Sequence, residues 1–276
     1  SGWCLAHDKS KMSKSKNNVI DPKVILKQYG ADVVRYWASN SKLGVDIAYS
    51  EDSLKLGKKL QKKLWNASNF VSRQLQLQEM NESNNVHYLI KNKVIFEDAD
   101  LWIVATLSHV IEAATNHFKN YDYAAARQLV EDFFWKDFCD NYLELIKRRS
   151  YDSDSLDTSG QLSALYTMRH VLSVVLRMFM PFMPHITSEI YATLFDEDVM
   201  QKEQGLWPKD SDIYQADELK VLGDNAILLL EEVRKQKTLQ RLAMNAEVAI
   251  VRHNTDLSES LQKDLANAIN AKSLVK

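Results

Sequence analysis

From residue 50 to about 195 the apolar positions recur three or four apart, the period of helices lying on a shared core. Leu60, Leu64, Ala67, Val71 and Leu75 form one stripe, with Lys58, Lys59, Lys62 and Lys63 on the opposite face. Leu101, Val104, Leu107, Ile111, Ala114 and Phe118 form a second. A third helix, capped by Asp122, carries Leu129, Phe133, Phe138, Tyr142, Leu145 and Ile146. It ends in Lys147-Arg148-Arg149, cations placed where the helix dipole favours them. A fourth helix with Leu162, Leu165, Leu172, Val175, Leu176 and Phe179 stops at Pro181, and a shorter fifth lies between Pro184 and Phe195. Polar stretches at Gln78–Asn85 and 150–160 read as loops. Such a series of amphipathic helices predicts a bundle.

The flanks break this period. Residues 1–7 read as a short strand, entered partway, so the natural protein is expected to extend further toward its N-terminus. A Lys/Ser loop follows at 9–18. Asp21-Pro22 then opens a helix, Asp as cap and Pro in the first turn, and Gly30 stops it. A second helix is expected over 31–41. Beyond 200, a helix over 216–240 has Leu219, Leu222, Ala226, Leu229 and Val233 as its stripe. Residues 246–251 alternate like a strand, 257–271 are helical, and Leu274-Val275 begins a second strand. The expected fold class is therefore mainly α: a helical bundle at 51–200, a mixed segment at 1–50 before it, and a small α+β appendage at 201–276 after it. There is no internal repeat.

Composition narrows the class. The 276 residues are 45% hydrophobic and 26% charged, as in globular proteins, and Gly (7) and Pro (4) are scarce, which favours long helices. No apolar run reaches the ~20 residues of a membrane span. Cys4 and Cys139 lack metal-ligand spacing and fit reduced thiols in a cytosolic protein. The histidines show no metal-binding spacing either, and His185 reads as structural. A net charge of −2 argues against a DNA-binding module but leaves RNA open, because one basic face suffices to neutralise phosphates.

The chemistry is concentrated in Lys9 to Pro22, KSKMSKSKNNVIDP. A solvated or nuclear-localisation-like lysine patch is the bland interpretation. Lys11-Met12-Ser13-Lys14-Ser15, however, resembles the KMSKS signature of class I aminoacyl-tRNA synthetases. Asn18-Val19-Ile20-Asp21-Pro22, Tyr29-Gly30-Ala31-Asp32 and Arg35-Tyr36 follow in the family's order. One departure is Asn17, where the family commonly has Gly; Asn tolerates positive φ, so a tight turn survives. Leu43–Glu51 and Lys63-Leu64-Trp65-Asn66-Ala67-Ser68-Asn69-Phe70 are similar to valyl-type patterns. Phe138–Glu144 and Pro181–Glu189 look like helix signatures of the class I anticodon-binding domain.

The resemblance implies a valine–tRNA ligase as parent, with ATP (and Mg2+), valine and tRNA(Val) as its partners. It also implies a cytoplasmic monomer that engages neither membrane nor DNA and holds no resident metal. Residues 1–50 would be the end of the catalytic domain and 51–200 the anticodon-binding bundle. No HIGH signature, nucleotide-binding sheet or editing insertion is found here, so the chain alone is not expected to be catalytic. Lys14, with Lys11 assisting, would neutralise the pyrophosphate leaving group, while Met12, Ser13 and Ser15 complete the ATP-binding loop. Phosphate contacts to tRNA are sought at Lys59, Lys63, Lys147, Arg148 and Arg149, and more broadly at Lys58, Lys62, Arg234, Lys235, Lys237 and Arg241. Each of these has a solvated helix face as its plain alternative. Trp65, Phe70, Trp135 and Phe138, at helical spacing, are expected mostly in the core. Competing readings are an isoleucyl, leucyl or methionyl synthetase fragment, or a non-catalytic helical RNA-binding or scaffold protein.

Overall fold

The computed structural model describes residues 2–76, 85–151, 158–195 and 207–276; residues 78–84 of the expected loop at 78–85 and 152–157 of that at 150–160 lie outside them, while 150–151 and 158–160 are helical instead of loop. In chain order the elements are β1 (Cys4–Leu5), α1 (Pro22–Tyr29), α2 (Ala31–Ala38), β2 (Ile47–Ala48), α3 (Glu51–Leu75), α4 (Val86–Lys91) and α5 (Asp98–Lys119). Then come α6 (Tyr123–Asp132), a π-helix (Phe133–Tyr142), α7 (Leu143–Leu145), α8 (Lys147–Tyr151), α9 (Thr158–Phe179) and α10 (Pro184–Phe195). The chain closes with α11 (Asp217–Leu239), β3 (Val248–Arg252), α12 (Glu259–Ile269) and β4 (Ala271–Val275). The class is mainly α, as expected. The residues sort into two compact units, one of 1–72, 112–131 and 173–208, the other of 73–111, 132–172 and 209–276.

In the first unit β1 and β2 pair in parallel, Cys4 opposite Ile47 and Leu5 opposite Ala48. Asp21 caps α1 by accepting from the Lys23 amide, and Gly30, at φ +84°, turns the chain directly into α2. That φ lies in the region open to glycine at little steric cost. α2 ends at Ala38, short of 41, because Ser39 turns its hydroxyl back to the Tyr36 carbonyl. Leu60, Leu64 and Val71 of the stripe read from the sequence are fully buried on α3, as is Leu54 before them, while Leu75 at its end is half-buried. Phe118 packs against Phe182 and edge-on to Trp207.

In the second unit Val86, Leu89, Ile95, Val104 and Tyr166 form one apolar cluster. β3 and β4 pair in parallel, with α12 as the crossover between them. The sequence reading needs two corrections here. The third helix does not run unbroken to 149. It widens into a π-helix over 133–142, where Phe134, Phe138 and Tyr142 stack at centroid spacings of 6.3 and 6.0 Å, and it ends at Leu145. On α11 the buried face is Gly223, Ala226, Ile227, Leu230 and Val233, so the expected stripe is rotated: Leu222 and Leu229 are only half-buried.

A charged cluster sits inside this unit. Asp100, fully buried on α5, accepts from both Arg149 terminal nitrogens at 2.9 Å, from Tyr142 Oη at 2.8 Å and from Ser163 Oγ at 2.5 Å. Arg149 also reaches Asp264 of α12 at 3.0 Å and the Gly160 carbonyl at 2.7 Å. One guanidinium therefore serves two carboxylates. Burial, together with the charge of Asp100, outweighs the guanidinium at Asp264 and raises its pKa from 3.8 to about 6. Removing Arg149 leaves two carboxylates without their cation.

Arg149→Ala is expected to lower stability by ~3–5 kcal/mol, measured by urea unfolding. Because the folded pKa of Asp264 is raised, the folded state holds its proton where the unfolded state has lost it, and stability falls as pH rises from about 4 to about 6. Asp264→Asn should thus gain on the native protein, by up to ~3 kcal/mol, between pH 4 and pH 7. A pH-independent difference would contradict this.

Candidate functional site

The lysine loop is built from short-range polar contacts. After β1 the chain reverses, with the Ser10 carbonyl accepting from the Ala6 amide at 2.9 Å and Lys9 in the left-handed region at φ 62°. Lys11 then pairs antiparallel with Leu5. Asn18 staples the loop shut at its base. Its Oδ1 accepts from the Ser13 amide at 2.8 Å, and its Nδ2 donates to Ser10 Oγ at 2.9 Å and to the Lys11 carbonyl at 3.2 Å. Ser13 Oγ accepts from the Lys16 amide at 3.3 Å, capping a single 3-10 turn over Lys14–Lys16, and lies 3.2 Å from Ser15 Oγ. Asn17 ends that turn at φ 50°, the positive angle anticipated for it.

The serines and Asn18 thus organise the backbone while the lysines point to solvent. Lys14 is exposed, and its ammonium has no ion pair or hydrogen bond among the described residues. Lys11 is also exposed, with Nζ 4.3 Å from the centroid of the Trp3 ring. Met12 is half-buried. A turn whose shape is set by its own side chains, carrying an unpaired ammonium, is suited to close on an incoming anion.

α2 ties this segment into the rest of its unit. Asp32, 3% exposed, accepts from the amides of His185 at 3.2 Å and Ile186 at 2.7 Å, and from His185 Nδ1 at 2.8 Å. A side chain from α2 therefore caps the N-terminus of α10, satisfying amides that have no intrahelical partner. His185 is held by Asp32, consistent with the structural role expected for it. Arg35 donates to the Pro181 carbonyl at 2.6 Å. Tyr36 Oη donates to Glu131 at 3.1 Å, and Glu131 pairs with Arg127, whose guanidinium lies 4.5 Å over the Tyr36 ring and reaches Asn40 at 2.7 Å. Burial, then the Glu131 charge, pushes the Tyr36 phenol up to about 12.

The outward face of α3 is a second candidate site. Lys55, Lys59, Lys62, Trp65, Asn66 and Asn69 are all exposed at helical spacing. Trp65 is 43% exposed, so the expectation of a core role fails for it, although Phe138 is buried. The residue repeat that put Trp65 near the core stripe places it one step outside, next to Leu64. Beside it, Ser68, Asn69, Ser72 and Thr193 line a cleft of about 30 Å3. Ser68 is buried, and its hydroxyl has no hydrogen-bond partner among the described residues. Lys63 is half-buried.

The remaining basic candidates separate. Lys147 and Arg148 are exposed, but Lys147 lies 3.3 Å from Glu144 and Arg148 donates to Asn267 at 3.1 Å. They open α8 instead of closing a longer helix. Arg149, expected to meet phosphate, has a side chain only 7% exposed and committed to Asp100 and Asp264; its charge is neutralised inside the protein. Lys237 is likewise buried, its ammonium donating to the carbonyls of Met244, Ala246 and Ile269 at 2.8, 2.7 and 2.7 Å. Arg234 donates to Asn141 at 3.2 Å, while Lys235 and Arg241 are exposed.

The family model for the anticodon-binding domain of tRNA ligase matches residues 100–251, more than half of the chain. This chain belongs to that tRNA-ligase family. A second model, for class I tRNA synthetases (I, L, M and V), matches residues 1–50, the segment that holds the lysine loop. Among curated proteins, the valine–tRNA ligase of Rickettsia felis is 43% identical over 99% of this chain and 32% of its own length. That of Wolbachia pipientis is 43% identical over 99% of this chain and 31% of its own, and that of Rickettsia prowazekii 44% over 99% and 33%. This tRNA-ligase chain spans about a third of the length of those relatives. A crystal structure of an Agrobacterium radiobacter LeuRS-tRNA-LeuAMS ternary complex is similar at a TM-score of 0.49 and 19% identity, covering 69% of this chain and 21% of that one. Among the described residues no helix is long and apolar enough to cross a membrane.

Sequence reasoning matched Asp32, Arg35, Tyr36 and Asn18 to family patterns without giving them work. Their partners lie up to 154 residues away or across a turn, beyond the reach of helical periodicity. Asn18→Ala should accelerate amide hydrogen exchange at Ser13 while leaving α3 amides unchanged. Asp32→Ala should lower stability by ~1–2 kcal/mol through loss of the cap, with Asp32→Asn milder, both read from chemical unfolding.

Proposed function

We propose that the chain is the part of an ATP-dependent valine–tRNA ligase that supplies the KMSKS flap and the anticodon-binding helices. The division is a catalytic-domain end at 1–50, an anticodon-binding bundle at 51–200 and an appendage at 201–276. The substrates of the whole enzyme would be valine, MgATP and tRNA(Val), and its setting the cytoplasm, with the ligase acting as a monomer. The observation that carries the reading is the unpaired Lys14 ammonium, presented on a turn shaped by Ser13 and Asn18. The similarity to valine–tRNA ligases over 99% of the chain supports the choice of amino acid over isoleucine, leucine or methionine.

In the proposed reaction the valine carboxylate attacks the α-phosphate of ATP. The bond to the β-phosphate oxygen breaks, and pyrophosphate departs with the electron pair. Negative charge grows on that leaving group. Lys14, assisted by Lys11, would meet it as the flap closes, a contact stronger in the transition state than in the ground state. Met12, Ser13 and Ser15 hold the flap's form. The valyl group then passes from the adenylate to a hydroxyl of the tRNA's terminal adenosine, releasing AMP.

For tRNA binding, the exposed face of α3 offers what unstacked bases require. Trp65 presents a ring for stacking, Asn66 and Asn69 present amides, and Lys59 and Lys62 present charge, with Lys63 behind them. Lys147 and Arg148 remain candidates for phosphate contacts at α8.

Lys14→Ala in the full-length ligase should slow valine-dependent pyrophosphate exchange on the order of a hundredfold or more; an unchanged rate would refute the assignment. Trp65→Ala should weaken tRNA binding by ~1–3 kcal/mol, and Lys59→Gln should reduce the salt dependence of binding by about one counterion, both measured by filter binding across a salt series.

A further inference from the structure

We propose that Trp3 is a positioning residue of the lysine loop, its indole face holding the Lys11 ammonium in a parked position until a polyphosphate takes it. The inference rests on the reading of the loop as a polyphosphate-closing flap. The two motif lysines differ in their surroundings. Lys14 has no partner among the described residues, whereas Lys11 Nζ stands 4.3 Å from the Trp3 ring centroid, well inside cation–π range.

The backbone builds this meeting. Lys11 lies opposite Leu5 across an antiparallel bridge. Trp3, two positions before Leu5, falls on the same face and diagonal to Lys11, within reach of a long side chain. The place of Trp3 is fixed from both sides. Its amide donates to Asp46 Oδ1 at 2.6 Å and its carbonyl accepts from the Ile47 amide at 2.9 Å. Gly2 permits this approach, since a Cβ there would come 2.0 Å from the Val45 carbonyl oxygen. The ring itself is 61% exposed, leaving it open to a cation.

A neutral ring is a fitting parking place. A carboxylate partner would compete directly with the substrate phosphates. A ring's quadrupole attracts an ammonium weakly when exposed, so a multiply charged polyphosphate displaces it. The contact also keeps Lys11 apart from Lys9, Lys14 and Lys16 in a crowded run of like charges.

The test uses the 276-residue chain and magnesium pyrophosphate as probe. Proton NMR should place the Lys11 ε-methylene upfield of that of Lys9, by the ring current of Trp3, and pyrophosphate should abolish the difference. Trp3→Leu should remove the shift and tighten pyrophosphate binding roughly two- to fivefold, since no contact has to be given up. Trp3→Phe, with a weaker ring, should fall between, and guards against a folding defect in the first variant. A Lys11 shift that survives saturation by pyrophosphate, or weaker or unchanged binding in Trp3→Leu, overturns the inference. Failure of Lys14→Ala to weaken pyrophosphate binding, or no binding by the native chain, overturns the flap reading instead.

Discussion

The arrangement of the first unit turns on one buried carboxylate. Asp32 stands almost without solvent, and an unpaired charge there would be strongly unfavourable. It is compensated by the free amides at the start of α10 and by His185, a helix N-terminus being the place where backbone dipoles accept an anion. The bond is long-range in sequence and short in space. It fixes the orientation of α2, and α2 follows α1 and the lysine loop with only Gly30 between the helices. Arg35 and Tyr36, one turn further along α2, repeat the attachment at Pro181 and Glu131. The lysine loop, proposed above as the flap, is therefore joined to a helix held at three points.

The second unit solves a similar problem with opposite sign. There a cation is the shared element, and Arg149 lies between Asp100 and Asp264. A buried ion pair is weak evidence of net stability, but a broken one is costly, so such a cluster specifies which partners meet. It joins α12 to α5 and α8 of the same unit. Lys237 works alike on the α11 side, three donors matched to three carbonyls. Both residues belong to sequence runs that look like basic patches, where RNA phosphate and plain solvent are the alternatives the sequence offers; neither describes the buried side chains.

Those two side chains mark the limit of what periodicity conveys. The helix at 22–29, with no fully buried residue, was legible from Asp21 and Pro22 at its start and Gly30 at its end; the bodies of those at 51–75 and 158–179 were legible from the fixed period of their apolar positions, and Pro181 and Pro184 marked the break before 184–195. The strand at 248–252 was legible from alternation and its partner at 271–275 from Leu274-Val275. The π-helix was not, because widening a turn leaves composition unchanged. Nor was the inward turn of Arg149, since a long side chain can face either way and the deciding carboxylates lie 49 and 115 residues away. Trp65 failed in the other direction, an aromatic at near-core spacing that the helix leaves half in water.

At the lysine loop the sequence showed which residues carry charge but not which hold the turn. The lysines stand out in any reading because a dense run of cations is uncommon. The structural work falls to Asn18 and Ser13, whose short polar side chains bond to nearby backbone and so replace the helix or sheet ladder the segment lacks. This division has a physical reason. An ammonium that stabilises a departing phosphate must arrive unpaired, so it cannot also serve as a strut. Neutral hydroxyls and amides can brace the turn without competing for the anion, and a neutral ring can hold Lys11 on the same terms.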